Sequence, residues 1–133
     1  MEIFRMSIPS VKEFFCLSSN AVKACCAIYN VELCVLDDIG IAVREALYCL
    51  SNQSGRVDNI MIECLNEENG VVIEFTALST QVRENLDSRD DEISRGIFEK
   101  LVPKVNLLSD ERGIFCITFF FPRNEDCNER KQS

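Results

Sequence analysis

The 133-residue sequence contains no histidine and no tryptophan, five glycines and three prolines. It has no apolar run of about 18 residues, which excludes a transmembrane helix. The opening residues Met1-Glu2-Ile3-Phe4-Arg5 lack the long apolar stretch of a secretory signal, so the chain is expected in the cytoplasm. No Cys-x-x-Cys pair accompanies the eight cysteines (16, 25, 26, 34, 49, 64, 116 and 127), and histidine ligands are missing altogether. Cys16, Cys25, Cys34, Cys64 and Cys116 sit within apolar periodic runs. Buried thiols acting as small hydrophobes in a reducing compartment are therefore expected rather than a metal site. The basic residues are scattered, gathering only at Arg123, Arg130 and Lys131, while the net charge is −8. Such a surface repels a phosphate backbone, so nucleic acid is not an expected partner. A basic protein partner is compatible with it.

Apolar residues make up 47% and charged residues 27%, as in an ordinary soluble globular domain, and the length fits one domain with its own core. Ile3–Ile8 alternates as a strand that Pro9 stops. Ser10-Val11-Lys12-Glu13 reads as a capping box opening a helix from Val11 to about Tyr29, with Phe14, Leu17, Ala21, Ala24, Cys25 and Ile28 at helical spacing. Asn30 reads as the break before a second helix from about Glu32 to Leu50. There Leu33, Leu36, Gly40, Val43, Leu47 and Leu50 form an apolar stripe, widened by Val35, Ile39, Ala42 and Ala46. At 100° per residue Asp38, Glu45, Cys49 and Asn52 fall together away from it, toward solvent or a pocket.

After a polar loop from Ser51 to Asn59, Ile60–Leu65 and Val71–Leu78 read as a hairpin, with Asn69-Gly70 expected to supply positive φ angles. Ser79 to Glu92 is charged and aperiodic. A short helix from about Ile93 to Val102, interrupted by Gly96, ends at Pro103. Strands follow at Lys104–Leu108 and Ile114–Phe121, and 124–133 reads as a polar tail. The order β-α-α-β-β-α-β-β predicts one domain over 1–123. Its expected class is α+β: a two-layer α/β sandwich with a mixed, mostly antiparallel sheet and three helices on one face.

The segment Asp37-Asp38-Ile39-Gly40-Ile41-Ala42-Val43-Arg44-Glu45-Ala46, with Ser94–Val102 and the strand, turn and strand after it, resembles the anti-sigma-factor serine kinases. These are the smallest branch of the histidine kinase-like ATPases (the GHKL superfamily, or Bergerat fold). The resemblance spans Ile3 to Phe121 and is most specific over the second helix. It implies a bacterial transcription regulator of that fold, a homodimer formed through the sheets, and an ATP·Mg²⁺ site. In that family the second helix carries a glutamate that orients the attacking hydroxyl and, four residues on, an asparagine that holds Mg²⁺. Glu45 matches the glutamate, and Cys49 stands in the asparagine's place. A neutral thiol is a poor ligand for a hard cation, and Asn52 lies nearly a turn too far along.

Two further parts of the family's site also depart from its pattern. Leu78-Ser79-Thr80-Gln81-Val82 holds neither the aspartate nor the glycines that bind adenine. Of the glycines that cradle phosphates ahead of the third helix, only Gly96 remains. The resemblance thus implies a non-catalytic, or nearly non-catalytic, regulator with a degenerate ATP site and no expected cofactor. Its partner would be a sigma factor or an anti-sigma antagonist. The alternative is an ATP-binding serine kinase with Glu45 as base, and a sensor holding another small ligand is a third reading. Glu45 is then either a catalytic base or a solvated glutamate, and Cys49 either a redox thiol or a packed residue. The run Asp87–Glu92 reads as a solvated loop or as a site for a cation or basic partner. Phe119-Phe120-Phe121 implies a strand buried on both faces or a protein contact, for which this strand and Ile3–Ile8 are the candidates.

Overall fold

Alternating apolar residues in five segments and helical spacing in three others give the secondary structure of the computed structural model, which describes residues 1–52, 57–78, 91–111 and 113–123. The strands are β1 (Glu2–Pro9), β2 (Asn59–Glu67), β3 (Gly70–Leu78), β4 (Lys104–Asp110) and β5 (Gly113–Pro122). The helices are α1 (Phe15–Ile28), α2 (Leu36–Ser51) and α3 (Asp91–Leu101). Single 3₁₀ turns, Lys12–Phe14 and Leu33–Val35, lead into α1 and α2. The class is α+β, with a five-stranded sheet in the order β1-β2-β3-β5-β4 under three helices.

Every pairing in this sheet is antiparallel, so the expected mixed character is corrected. The crossover through α3 carries β4 beyond β5. β3 and β4 run in the same direction but are separated by β5 and never touch. The 124–133 tail, like the 79–90 segment, lies outside the described residues.

The chain turns by other means than expected at two places. Val11, not Ser10, precedes the first helical turn with extended backbone and no side-chain cap, while the Ser10 hydroxyl lies 2.7 Å from that of Ser51. The pairing of these two serines has displaced the capping box. Glu67 pairs with Gly70, but neither Asn69 nor Gly70 has positive φ; among the described residues only Asn30 and Gly113 do. Gly70 is needed for room instead, since a Cβ there would meet the Phe121 carbonyl oxygen and the Phe120 ring.

Asn30 ends α1 as expected, at φ 66°. Its N–H donates to Ala27 O (3.3 Å) and that of Val31 to Cys26 O (3.0 Å), the paired bonds of a Schellman motif.

The core lies between the helices and one sheet face. From the sheet come Ile60, Ile62, Cys64, Val71, Ile73, Phe75, Ile117, Phe119 and Phe121, and above them lie Ile39, Val43, Leu47 and Leu50 of α2. Phe119 is a hub, with ring centroids 5.2 Å from Phe75, 5.2 Å from Phe98 of α3 and 6.2 Å from Phe121. Among the described residues no helix covers the opposite face, to which Phe120 points, partly exposed, with Lys104 Nζ 5.4 Å from its ring centroid. The expectation that both faces of this strand are buried is thereby corrected. β5 is internal, so of the two strands marked for contact only β1 is a sheet edge.

α1 departs most from its expected face. Its buried side is Phe15, Ser18, Ser19, Val22, Cys25 and Cys26. Of the expected positions only Cys25 is buried, while Phe14, Leu17, Ala24 and Ile28 are exposed. Leu33 precedes α2 in its 3₁₀ turn and is also exposed, so the α2 stripe begins later than its spacing implied.

Candidate functional site

α2 is the central helix, lying over β3 and β5 with α1 on one side and α3 on the other. Its α1 side is closed by Gly40. The Ser19 hydroxyl donates to Gly40 O at 3.1 Å, and a Cβ on Gly40 would press on Lys23 Cδ and Ser19 Oγ. Small residues at this crossing let the two backbones approach. On the α3 side stands Glu45, half-buried, and Ser94 of α3 donates its hydroxyl to Glu45 Oε1 at 2.9 Å. Ser94 is itself only 3% exposed. Phe98, one turn further on, is fully buried against Phe119 and anchors α3 to the sheet. The hydroxyl is thus held at the carboxylate by packing that does not depend on Glu45.

Cys49, one turn beyond Glu45, is 5% exposed and belongs to the core. Its expected placement with Asp38 and Asn52 on a side away from the core is corrected. Ala42, Ala46 and Leu50 are all fully buried, so the buried arc of α2 is wide enough to take in Cys49. Asn52 is exposed just past the helix end and Asp38 is half-buried.

Gly96 lies inside α3, which runs through it without interruption and begins two residues before the expected start. A Cβ there would meet nothing within 4 Å, so no close approach demands glycine. As the sixth residue of α3 it lies beyond the four N–H groups that a helix start leaves open to an anion.

These placements bear on Mg²⁺ and a triphosphate. The residue one turn from Glu45 offers a buried sulfur, the carboxylate is already engaged by a hydroxyl, and Gly96 is within a helix. Of the described residues, Glu45, Cys49 and Gly96 do not fit the metal–nucleotide group that the resemblance implies. Among the described residues no group of three or more Cys, Asp or Glu is placed to hold a metal ion. Residues 79–82, where the resemblance puts the adenine edge, and 87–90 of the acidic run lie outside the described residues.

The thiols fall into two sets. Cys16 and Cys34 are exposed, contrary to the expectation from their apolar runs, while Cys25, Cys26, Cys49, Cys64 and Cys116 are buried. Burial pushes the Cys26 thiol up to about 12. Hydrogen bonding between Cys25 and Cys64 draws the Cys25 thiol down and drives that of Cys64 up. Burial raises that of Cys116, and the hydrogen-bonded Glu32 carboxylate raises that of Cys34. A shallow groove between α3 and β4, lined by Arg95, Glu99, Val105, Asn106 and Leu107, is separate from Glu45.

The Ser94–Glu45 contact was not anticipated. Its one sequence signal is a serine on the apolar side of a short helix, in register with the buried Phe98 four residues on.

Fold and site together define an α+β two-layer domain with an antiparallel sheet and a hydroxyl–carboxylate contact between its second and third helices. No protein-family model matches the chain, and a search of curated proteins finds no match either. No helix among the described residues is long and apolar enough to cross a membrane.

Proposed function

We propose that this chain is a non-catalytic regulatory module of the anti-sigma-factor kinase type, built on a GHKL-like scaffold. It acts in the bacterial cytoplasm by gripping a protein partner, a sigma factor or an anti-sigma antagonist, and not by transferring phosphate. The observation that carries this reading is the Ser94 hydroxyl seated 2.9 Å from Glu45 Oε1, beside a Cys49 withdrawn into the core. The residue that would orient an incoming hydroxyl already holds one of its own. The atom that would bind Mg²⁺ is replaced by a buried sulfur, to which a hard cation has little affinity. Support for the scaffold comes from the order of elements and from the residues Asp37–Ala46.

Calorimetric titration with ATP and Mg²⁺ tests the proposal. Heat attributable to binding is expected to be absent up to millimolar nucleotide. Micromolar affinity would overturn it.

One other reading rests on Glu45 itself, a half-buried carboxylate on α2. In a divergent serine kinase Glu45 would leave Ser94 and take the substrate hydroxyl as its general base. That reading requires Glu45→Ala to abolish transfer of labelled phosphate from ATP to a partner serine. Absence of label with the wild-type chain disposes of it.

A further inference from the structure

The sheet face opposite the helices is not the polar surface that a half-solvated antiparallel sheet presents. The strand register lays its side chains out in rows across the strands. Met61, Cys116 and Leu108 lie in one row, and Leu65, Val72 and Phe120 in another. A polar row holding Arg5, Glu63 and Glu74 separates them. Single exposed apolar residues are ordinary on a surface, but two rows side by side mark a contact surface.

The polar row carries an unresolved charge. Glu63 of β2 stands directly opposite Glu74 of β3. Like charges at opposed positions destabilise a sheet. Arg5 reaches only Glu63, with Nη2 3.6 Å from Oε2, and its Nε is bound to Glu2 at 2.9 Å. Lys104, at a corner of the face, lies over the Phe120 ring. Among the described residues no cation pairs with Glu74, which is half-buried between the two apolar rows.

Charge and shape select the occupant. A cation set between Glu63 and Glu74 meets both carboxylates, because opposed side chains start about 5 Å apart. It also removes their repulsion. Neighbouring rows lie two residues apart along each strand, roughly 7 Å. A helix about 10 Å across, laid along the polar row, therefore touches both apolar rows at once. A helix of about 14 residues, ~21 Å long, crosses the five strands at their spacing of ~4.8 Å. A second copy laid across the centre of this face would instead bring Glu74 toward its own counterpart.

We propose that this sheet face is the docking surface for an amphipathic helix of a partner protein, one whose apolar side carries lysine or arginine at its centre. This rests on the binding-module reading and adds to it the surface used and the chemistry of what is gripped.

The probe is a blocked, fluorescently labelled helical peptide of about 18 residues (five turns) made of leucine, alanine and lysine. Two lysines at i and i+4 stand in the middle of its leucine face, and a twin peptide has glutamates in their place. Fluorescence anisotropy under reductant is expected to show micromolar binding of the lysine peptide and about tenfold or weaker binding of the twin. Glu63→Gln with Glu74→Gln should weaken the lysine peptide about tenfold or more. Glu13→Gln with Glu99→Gln removes the same charge from exposed positions on the helix layer and should weaken it less. Leu108→Asp should also weaken it, whereas Leu17→Asp on the exposed flank of α1 should not. Circular dichroism of all four variants should match the wild type, because none of these side chains is in the core. A wild-type chain that ignores the lysine peptide overturns the proposal. So do equal losses in the two glutamine doubles, or a loss with Leu17→Asp and none with Leu108→Asp. Sedimentation equilibrium without peptide that shows a dimer dissolved by Leu108→Asp gives the face to a second copy and overturns it too. Nucleotide titration of the same wild-type chain judges the binding-module reading by itself.

Discussion

Ser94 and Glu45 are 49 positions apart in the chain and 2.9 Å apart in space. A hydroxyl donating to a carboxylate contributes more than a neutral pair, and the acceptor suffers when the donor is removed from a half-buried site. Ser94→Ala is expected to cost about 1–3 kcal/mol in urea unfolding. Glu45→Gln, which still offers an acceptor, should cost less. In a double-mutant cycle with Glu45→Ala the two sites should couple by at least about 0.5 kcal/mol, and additive losses would mean that the contact is not formed in solution. Neither partner announces itself in sequence. Glu45 sits among residues at helical spacing, but whether it meets water, a ligand or a side chain depends on where α3 docks. The inward placement of Cys49 was hidden for a related reason. A cysteine is small and nearly apolar, and the buried arc of α2 is wide because helices flank it on both sides.

At the scale of elements, two positions carry conformational demands that differ in kind. Asn30 has left-handed backbone at the end of α1, which its short polar side chain tolerates and a β-branched one does not. Gly70 has ordinary backbone but no space, with the Phe121 carbonyl where its Cβ would be. Asn30→Gly is expected to be neutral or slightly stabilising, and Asn30→Val to cost about 1–2 kcal/mol. Gly70→Ala is expected to cost at least as much as Asn30→Val, because the obstacle is backbone of the neighbouring strand and cannot rotate away. Chemical denaturation of the three variants checks the order. A Gly70→Ala variant as stable as the wild type would mean that β3 and β5 are not in the register described.

Strands, helix order and the end of α1 were all legible because alternation, helical spacing and a lone asparagine act locally. The face of α1 was not. Its residues support two apolar stripes, one of phenylalanine, leucine and isoleucine and one of Phe15, Val22, cysteines and two serines. Periodicity by itself favours the larger side chains. The second stripe is buried because Ser18 and Ser19 satisfy their hydroxyls on Phe14 O and Gly40 O, which makes them cheap to bury.

For the molecule as a whole, the buried thiols tie stability to pH. In the unfolded chain a cysteine ionises near its ordinary value of 9.0, while Cys26 folded holds its proton to about 12. Cys64 is raised as well, and Cys25 is partly opposed to them. Between pH 9 and 12 the unfolded state therefore binds fewer protons than the folded one at Cys26. The unfolding free energy falls as pH rises through that window, and the contribution is complete below it. Urea titrations at pH 8, 9 and 10 under reductant should show this decline. Cys26→Ala should flatten it by up to about 1.4 kcal/mol per pH unit. An unchanged slope would mean that the thiol is not shielded.

The sequence by itself determined the class of fold, the order of its elements and the residue types of its candidate site: no histidine, a cysteine one turn from Glu45, and few glycines. These are statements about residue types and short-range spacing, which a chain carries wherever it folds. Only the tertiary structure decided that the sheet is wholly antiparallel and that Ser94 reaches Glu45. The same is true of the choice of which α1 stripe faces water. Each depends on which of several acceptable surfaces meets another, and packing makes that choice among neighbours that lie far apart along the chain.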